Sequence, residues 1–245
     1  MKLLAVDSAT AQLAVGVCDG TGEWRRDLLD HTAHAGRLPA VVHEVLTEAG
    51  IAARDLDGLI AGIGPGSFAG LRTGLGFLQA MAWALRIPIV TVGSLECMAA
   101  TLLGHAGTKL AVPVLDARMG AVYLGGYRGA EDAPECVAAP EELAADEVSA
   151  RIAGIRDVPE RGIALGGNGL LLDGADALRD RAWAGFTPGL FPTAAILLAI
   201  GRRRFASGAA VDVDALRPLY VRDRVALTAA ERAAGATLGI GAART

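Results

Sequence analysis

Cysteine is scarce in this sequence, and its three residues, Cys18, Cys97 and Cys136, follow no regular spacing. An odd and scattered set provides neither a disulfide framework nor a zinc pattern, so we expect a reducing compartment. Long hydrophobic runs are also missing, because the longest, Ala194–Ile200, is far below the roughly 20 residues that cross a bilayer. The first residues lead directly into a strand-like run too short for a signal peptide. We therefore expect a cytoplasmic protein with no membrane association.

Positive charge is not in excess either. The net charge is −4 and the isoelectric point is about 5.6. This balance argues against a broad basic surface for nucleic acid, although a local site, or RNA bound through a partner, stays possible. The basic cluster Arg202, Arg203 and Arg204 ends a predicted helix, where the helix dipole favours cations. We favour that role over an RNA contact.

Several catalytic patterns are absent from the sequence. The Lys-Ser/Thr of a phosphate-binding loop, the Gly-x-Gly-x-x-Gly spacing, His-Glu-x-x-His and Gly-x-Ser-x-Gly do not occur. His31 and His34 are three residues apart and could share a metal on a helix, but they precede the regular helical pattern. We favour solvated or capping histidines, and we predict no catalytic residue and no metal ligand.

A glycine-spaced stretch carries the clearest local pattern. The apolar run Leu59–Ile63 precedes a Gly-Pro-Gly-Ser turn, and no proline follows before residue 86. This order predicts a strand, a turn and a helix over 69–85, with Ser67 as the N-cap. Gly70, Gly74 and Gly76 each cost this helix about 1 kcal/mol relative to alanine, so they need a reason. Either they let a partner helix approach closely, or they allow tight packing inside this domain.

The rest of the first half is typical of an α/β lobe. Residues 2–28 predict three antiparallel strands, and a strand over 87–92 and a helix capped by Ser94 follow the glycine helix. Between them lies an apolar stripe at helical period, near whose start Pro39 indicates a helix end or a kink. The loop 104–108 is the predicted lobe boundary. The stripe consists of Leu38, Val41, Val42, Val45, Leu46 and Ala49.

The second half begins like the first. The run Lys2–Asp7, with its turn and next strand, resembles Leu110–Asp116 and the strand after it. Two such units half a chain apart favour duplication, although a strand that ends in Asp is common by itself. We predict lobes at 1–105 and 106–227 and a tail at 228–245, either a loose helix or disordered. We expect helices over 140–152, 170–181 and 192–205, with Pro192 at the first helical position, a strand over 162–165 and an extended segment over 216–221.

Asp7 and Asp116 are candidates for a nucleotide cleft. Each ends an apolar strand, which is where carboxylates face magnesium and phosphates in a two-lobed ATPase. Gly166 and Gly167 follow another strand and could approach a base or a ribose. Alternatively, all four residues only form turns. Neither hairpin turn holds the glycine that usually admits phosphate oxygens, so we keep these residues as candidates and assign no cofactor to the chain.

Three segments together resemble the TsaB (YeaZ) family. They are Leu3–Thr10, Gly64–Gly74 and Asp116–Tyr123, and they occur in the order and at the distances expected of that family. The ending Pro218–Arg222 also fits, while residues 130–215 match only in outline. Ala69 stands where the family motif usually has threonine, which removes a hydroxyl near the helix start.

The resemblance implies an α/β fold of two ribonuclease-H-like lobes, of the actin-like ATPase and sugar-kinase superfamily. It implies a non-catalytic subunit that supports TsaD in threonylcarbamoyl transfer to the adenosine next to the anticodon of tRNAs reading ANN codons. A TsaE-like ATPase is a further implied partner, with ATP and tRNA bound at the level of the complex. The chain lacks the histidine pair that binds metal in TsaD, since Leu38 occupies the i+4 position from His34.

The family's partner surface is built from its first two helices, so the resemblance places a TsaD heterodimer, and a competing homodimer, on the helices near 38–49 and 69–85. Two other functions stay open: a self-sufficient ATP-dependent phosphotransferase of the same fold, and a metalloprotease, which would need a bound metal. The expected interface residues are Leu38, Val42, Gly70, Arg72, Thr73, Gly74, Phe77 and Met81.

Overall fold

A computed structural model of the chain describes residues 1–29, 34–179 and 181–221. Its first sheet has five strands in the order β3-β2-β1-β4-β5. Strand β1 pairs antiparallel with β2 and parallel with β4, and β5 extends the parallel part. The strands are β1 Leu3–Asp7, β2 Gln12–Cys18, β3 Glu23–Leu29, β4 Gly58–Gly62 and β5 Ile89–Val92.

The second sheet repeats this arrangement. Its order is β10-β9-β6-β7-β8, with β6–β7–β8 antiparallel and β6–β9–β10 parallel. When the five strands of each sheet are numbered in chain order, both sheets have the same strand order, 3-2-1-4-5. This agreement confirms the predicted duplication of an α/β lobe. The strands are β6 Leu110–Arg118, β7 Ala121–Ala130, β8 Ala133–Ala144, β9 Ile163–Gly166 and β10 Gly185–Thr187.

Five α-helices cover the sheets in the described part of the chain. One face of the first sheet packs on α1 and α2, and its other face packs on α5. The second sheet packs on α3 and, on its other face, on α4. Because α3 and α5 also contact each other, they lie between the two sheets. The helices are α1 His34–Ala49, α2 Phe68–Leu85, α3 Ser94–Leu103, α4 Val148–Ala153 and α5 Ala194–Ala206.

The first lobe follows the sequence prediction closely. The three N-terminal strands, the strand–turn–helix at 58–85 and the cap at Ser67 are confirmed, and the Ser67 Oγ accepts a hydrogen bond from the Gly70 amide at 3.3 Å. Helix α1 begins at His34, five residues before Pro39, which lies inside it. Ser94 opens α3, but the N-cap is Gly93, whose amide donates to Glu96 at 3.1 Å.

The second lobe departs from the prediction in two helices. The predicted helix over 140–152 is wrong in its first half, because Pro140–Ala144 belongs to β8, and α4 covers only Val148–Ala153. Strand β8 is an edge strand, where a proline without an N–H is tolerated. The predicted helix over 170–181 is replaced by 3-10 turns at Asn168–Leu171 and Asp176–Leu178.

The C-terminal helix begins later than predicted. Thr193, rather than a residue before Pro192, is the N-cap of α5, and its hydroxyl accepts from Ile196. After α5, a 3-10 turn at Val213–Ala215 leads into the segment 216–221, which belongs to neither sheet. In this segment the Leu219 amide donates a hydrogen bond to the Ile63 carbonyl at 2.8 Å. The predicted tail at 228–245 lies outside the described residues.

Candidate functional site

The turn after β1 packs under the start of helix α2. The Ser67 amide donates to the Ala9 carbonyl at 2.6 Å, and the Ser8 hydroxyl donates to the Gly70 carbonyl at 2.8 Å. A Cβ atom on Gly70 would overlap the Ser8 carbonyl oxygen, and one on Gly74 would overlap the Ser8 hydroxyl. Of the two interpretations of these glycines, tight packing inside the domain therefore holds for Gly70 and Gly74. The idea that they form an open ridge for another molecule is wrong.

The apolar stripe of α1 also faces inward. Leu38 and Val42 are 1% and 3% exposed and belong to the core that α1 and α2 build on the first sheet. Phe77 and Met81 on α2 are partly buried against the same core. Periodicity identifies the residues that share a face of a helix, and here that face is the one the protein needs for its own sheet. The prediction that Leu38 and Val42 contact a partner directly is therefore wrong, because both are core residues.

The outer side of α2 presents a different set of residues. Arg72 is exposed and stacks over the Phe68 ring at 3.9 Å, and the Phe68 ring in turn lies 5.7 Å from the Tyr220 ring. Thr73 is half-buried, and its hydroxyl donates to the Ala69 carbonyl at 2.9 Å. The other exposed residues of this side, which we call the outer face of α2, are Ala69, Gly76, Gln79, Ala80, Trp83 and Ala84.

One residue of the outer face, Trp83, was not singled out as an interface residue from the sequence. Trp83 is 71% exposed, the highest value for a large apolar side chain in the described part of the chain. Gly76, one of the three glycines for which the sequence left both interpretations open, has open space where a Cβ atom would stand, unlike Gly70 and Gly74. Gly76 lies four residues before Ala80, and Trp83 lies three residues after it, so all three residues are on one side of the helix.

An open groove runs beside this outer face. Its other wall is the 3-10 turn Val213–Ala215 and the residues after it. A second pocket lies on the far side of Trp83, toward Arg86 and Pro88. The groove is lined by Gln79, Ala80, Trp83, Ala84, Val213, Asp214 and Arg217.

Asp7 is buried and serves the fold of the first lobe. It is 1% exposed, and its Oδ1 accepts from the Ala9 amide at 2.7 Å while its Oδ2 accepts from the Ser94 hydroxyl at 2.8 Å. Gly62 lies so close that a Cβ atom there would overlap the carboxylate. These contacts join β1, β4 and the start of α3, so Asp7 has a structural role in the first lobe.

The other three nucleotide candidates are also engaged within the chain. The Asp116 carboxylate accepts from the Arg118 amide at 2.6 Å and pairs with the Arg118 guanidinium at 3.5 Å. Gly166 is packed between Leu102 and Leu190, and Gly167, at φ +123°, lies against the Val114 carbonyl. The two glycines thus permit close approach to the chain's own side chains and strands.

The arginine cluster at the end of α5 is paired inside the protein. Arg202 binds Glu23 at 2.9 Å, Arg203 binds Asp132 at 2.9 Å, and Arg204 binds Glu96 and the Thr91 carbonyl. These ion pairs join α5 to both lobes and agree with the structural interpretation that the sequence favoured.

No three metal-ligating side chains converge among residues 1–29, 34–179 and 181–221. The side chains of His31 and His34 lie outside the described residues. Within the same ranges, every helix is too short or too polar to cross a bilayer.

Comparison with known proteins gives a consistent result. The family model for TsaD, described as tRNA N6-adenosine threonylcarbamoyltransferase, matches residues 29–156, just over half of the chain. The chain is 30% identical to the Escherichia coli protein named tRNA threonylcarbamoyladenosine biosynthesis protein TsaB, over 92% of this chain and 96% of that protein. The Bacillus subtilis protein of the same name is 40% identical over 39% of this chain and 41% of its own length.

Solved structures show the same likeness. A Pseudomonas aeruginosa structure, described as an uncharacterized protein with similarity to peptidase YEAZ, aligns with a TM-score of 0.80 and 27% identity, over 90% of this chain and 99% of that one. A second structure, YeaZ from the same organism, gives a TM-score of 0.75 and 25% identity, over 89% and 100% of the two chains. The predicted fold class is thereby confirmed. With its duplicated lobes and the near-complete match to the Escherichia coli protein, the chain belongs to the TsaB (YeaZ) family of tRNA threonylcarbamoyladenosine biosynthesis proteins.

Proposed function

We propose that this chain is a non-catalytic subunit that binds a TsaD-like threonylcarbamoyltransferase and supports its transfer reaction on tRNA. The single observation that carries the proposal is the outer face of α2, where the exposed Trp83 and Arg72 flank the small residues Gly76 and Ala80. Tryptophan and arginine are enriched among residues that dominate binding energy at protein interfaces, and small residues between them let a partner helix lie close. A cytoplasmic location is part of this proposal, since tRNA is the substrate.

The predicted interface changes accordingly. Arg72 keeps its place as an exposed contact, and Thr73, Phe77 and Met81 contribute through the parts they leave uncovered. Gly70, Gly74, Leu38 and Val42 act indirectly, because they hold α1 and α2 against the first sheet. The low surface that we assign to the partner is therefore the line from Arg72 through Gly76 and Ala80 to Trp83.

A supporting role also fits the contacts of the two acids that were candidates for a nucleotide site. Asp7 and Asp116 are both engaged by neighbouring groups of the chain. In this proposal, a TsaE-like ATPase and ATP act at the level of the complex, and tRNA binds through the complex. A homodimer on the same face would compete with the TsaD-like partner.

The test is a substitution that adds bulk to the outer face without disturbing the fold. Gly76→Arg has room for its side chain and removes a helix-weakening glycine. We expect it to weaken binding of the TsaD-like protein of the same organism at least tenfold, about 1.4 kcal/mol. The measurement is isothermal titration of the purified proteins, with circular dichroism to verify folding.

The matched control is Ala150→Arg, which adds the same side chain to an exposed position of α4 in the second lobe. It should leave the affinity as it is. If folded Gly76→Arg binds as tightly as the unaltered chain, the outer face of α2 is not the partner surface and the proposal fails.

A further inference from the structure

One charge on α2 is not explained by the helix that carries it. Arg72 is the only charged residue of this helix, and it lies in the second turn, near the N-terminal end. The helix dipole stabilises cations near the C-terminal end of a helix, so α2 offers Arg72 no such support. The residues three and four positions away on both sides are Phe68, Ala69, Leu75 and Gly76, none of which is acidic. The helix itself therefore gives no reason for a cation at this position.

Other parts of the protein supply no counter-charge either. Within residues 1–29, 34–179 and 181–221, the Arg72 guanidinium forms no ion pair and donates no hydrogen bond. The three arginines at the end of α5 differ, because each of them binds a carboxylate of the chain. Since Arg72 is also exposed, its charge is available to another molecule.

Two aromatic rings hold the Arg72 side chain in place. Its Cζ atom lies over the Phe68 ring, 3.9 Å from the ring centroid. The Phe68 ring lies 5.7 Å from the Tyr220 ring, with 31° between their planes. Tyr220 follows Leu219, whose amide donates to the Ile63 carbonyl at 2.8 Å, so the second ring is tied to the residue after β4. A stacked guanidinium loses less side-chain freedom when it binds a ligand, which prepares Arg72 for recognition.

The chemistry of this side chain favours a carboxylate as its ligand. A guanidinium presents two parallel N–H groups that match the two oxygens of a carboxylate, and such paired bonds are stronger than neutral hydrogen bonds. A phosphate of tRNA is the less suitable anion, because nucleic-acid surfaces combine several clustered cations. Arg72 is alone on α2, and the chain carries a net charge of −4.

We propose that Arg72, positioned by Phe68 and Tyr220, binds an aspartate or glutamate side chain of the TsaD-like partner. This inference rests on the proposed function, because it describes how the outer face of α2 recognises that partner. In the complex, Ala69, Gly76 and the two rings surround the ion pair, and the removal of water strengthens the attraction between the charges. The two rings are positioning residues, which hold the guanidinium where an incoming carboxylate can meet it.

The test measures binding of the TsaD-like protein of the same organism in the absence of tRNA. Arg72→Gln removes the charge, and we expect the affinity to fall about 10- to 100-fold. Arg72→Lys keeps the charge but loses the paired N–H groups, so the affinity should fall about three- to tenfold. Arg161→Gln, at an exposed position of the second lobe, is the matched control and should bind like the unaltered chain. Isothermal titration gives the affinities, and circular dichroism verifies folding.

The salt dependence of binding distinguishes an ion pair from a loss of contact area. For the unaltered chain, the affinity should fall when the salt concentration rises from about 0.05 to 0.5 M, because salt screens the attraction between the charges. The Arg72→Gln chain should show a clearly weaker dependence on salt. Equal salt dependence of the two chains would overturn the proposal.

A double-mutant cycle tests the two rings. Tyr220→Leu and Phe68→Leu keep the charge of Arg72 and remove the stack, so each should weaken binding about three- to fivefold. In the Arg72→Gln background the same substitutions should have little further effect, because no guanidinium is left to position. Equal losses in both backgrounds would show that the rings contact the partner by themselves, and the positioning role would be wrong.

The outcomes separate this inference from the proposed function. If Gly76→Arg weakens binding and Arg72→Gln does not, the partner surface stands and the carboxylate contact is overturned. If neither substitution weakens binding, both proposals fail. If Arg72→Gln weakens binding only when tRNA is present, the anion is a phosphate, and the assignment of a carboxylate is wrong.

Discussion

Ser8 lies directly beneath Gly74, and its hydroxyl fills the space that a Cβ atom on the glycine would occupy. The same hydroxyl donates a hydrogen bond to the Gly70 carbonyl at 2.8 Å. Two residues further along α2, Gly76 faces open space. Internal packing therefore requires glycine at position 74 and does not require it at position 76.

This difference predicts opposite effects of one substitution. Gly74→Ala should destabilise the protein by about 1–3 kcal/mol, because the methyl group overpacks the contact with Ser8. Gly76→Ala should stabilise it by about 0.5–1 kcal/mol, because it removes a flexible residue from a helix without a clash. Urea unfolding of the two variants measures both values, and similar changes in the two would contradict the packing we describe.

The bond between Ser94 and Asp7 predicts a structural cost for a small polar deletion. Ser94→Ala removes the hydroxyl that donates to a buried carboxylate, which should cost about 1.5–3 kcal/mol. Ser207→Ala, which removes an exposed hydroxyl at the end of α5, should stay within about 0.5 kcal/mol. Both are measured by urea unfolding, and equal losses would show that the Asp7 contact contributes nothing special.

The three cysteines should differ sharply in reactivity. Cys18 and Cys97 are buried, and burial raises the pKa of both thiols, most strongly at Cys97. Cys136 is exposed, although partial burial of its thiol and the charge of Glu96 raise its pKa as well. Titration with a chromogenic disulfide should detect one thiol in the native protein, increasingly fast toward alkaline pH, and three in denaturant. Cys136→Ser should leave none detectable before unfolding.

Burial of Tyr127 predicts a loss of stability at alkaline pH. Its side chain is in the core between α3 and the second sheet, and burial raises the pKa of the phenol above its usual value near 10. The folded chain then keeps a proton that the unfolded chain releases, so stability falls as the pH rises above about 10. Tyr127→Phe should make this decline shallower in urea unfolding at several pH values. Tyr220→Phe, at an exposed position, should leave the decline unchanged.

Local signals in the sequence were sufficient for most of the first lobe. Ser67 is followed by an unbroken helical run, and its cap and the helix appear as predicted, because caps and periodicity depend on neighbouring residues. The segment 140–144 shows the limit, since Pro-Glu-Glu-Leu-Ala favours a helix start by itself. Pairing with β7, the preceding strand, makes it a strand instead, and this pairing depends on the register of a long hairpin rather than on the five residues themselves.

The orientation of the α2 glycines could not be predicted for a similar reason. Spacing shows that Gly70 and Gly74 share a side, but both sides of this helix carry small residues, so nothing local distinguishes inside from outside. The decision depends on the turn at Ser8, 62 residues before Gly70. Trp83 was overlooked because an aromatic residue in an apolar helix normally indicates the core.

The placement of α5 has a consequence for how this protein is made. Leu197 and Ile200 of α5 cover Leu3 and Ile60 of the first sheet, yet they follow the whole second sheet in the chain. At ordinary translation rates the ribosome finishes β5 roughly 5–20 seconds before it reaches α5, about 100 residues later. During this time the nascent first sheet exposes one apolar face, to which chaperones can bind. A fragment that ends at the loop 104–108 would lack α5 and would expose this face permanently.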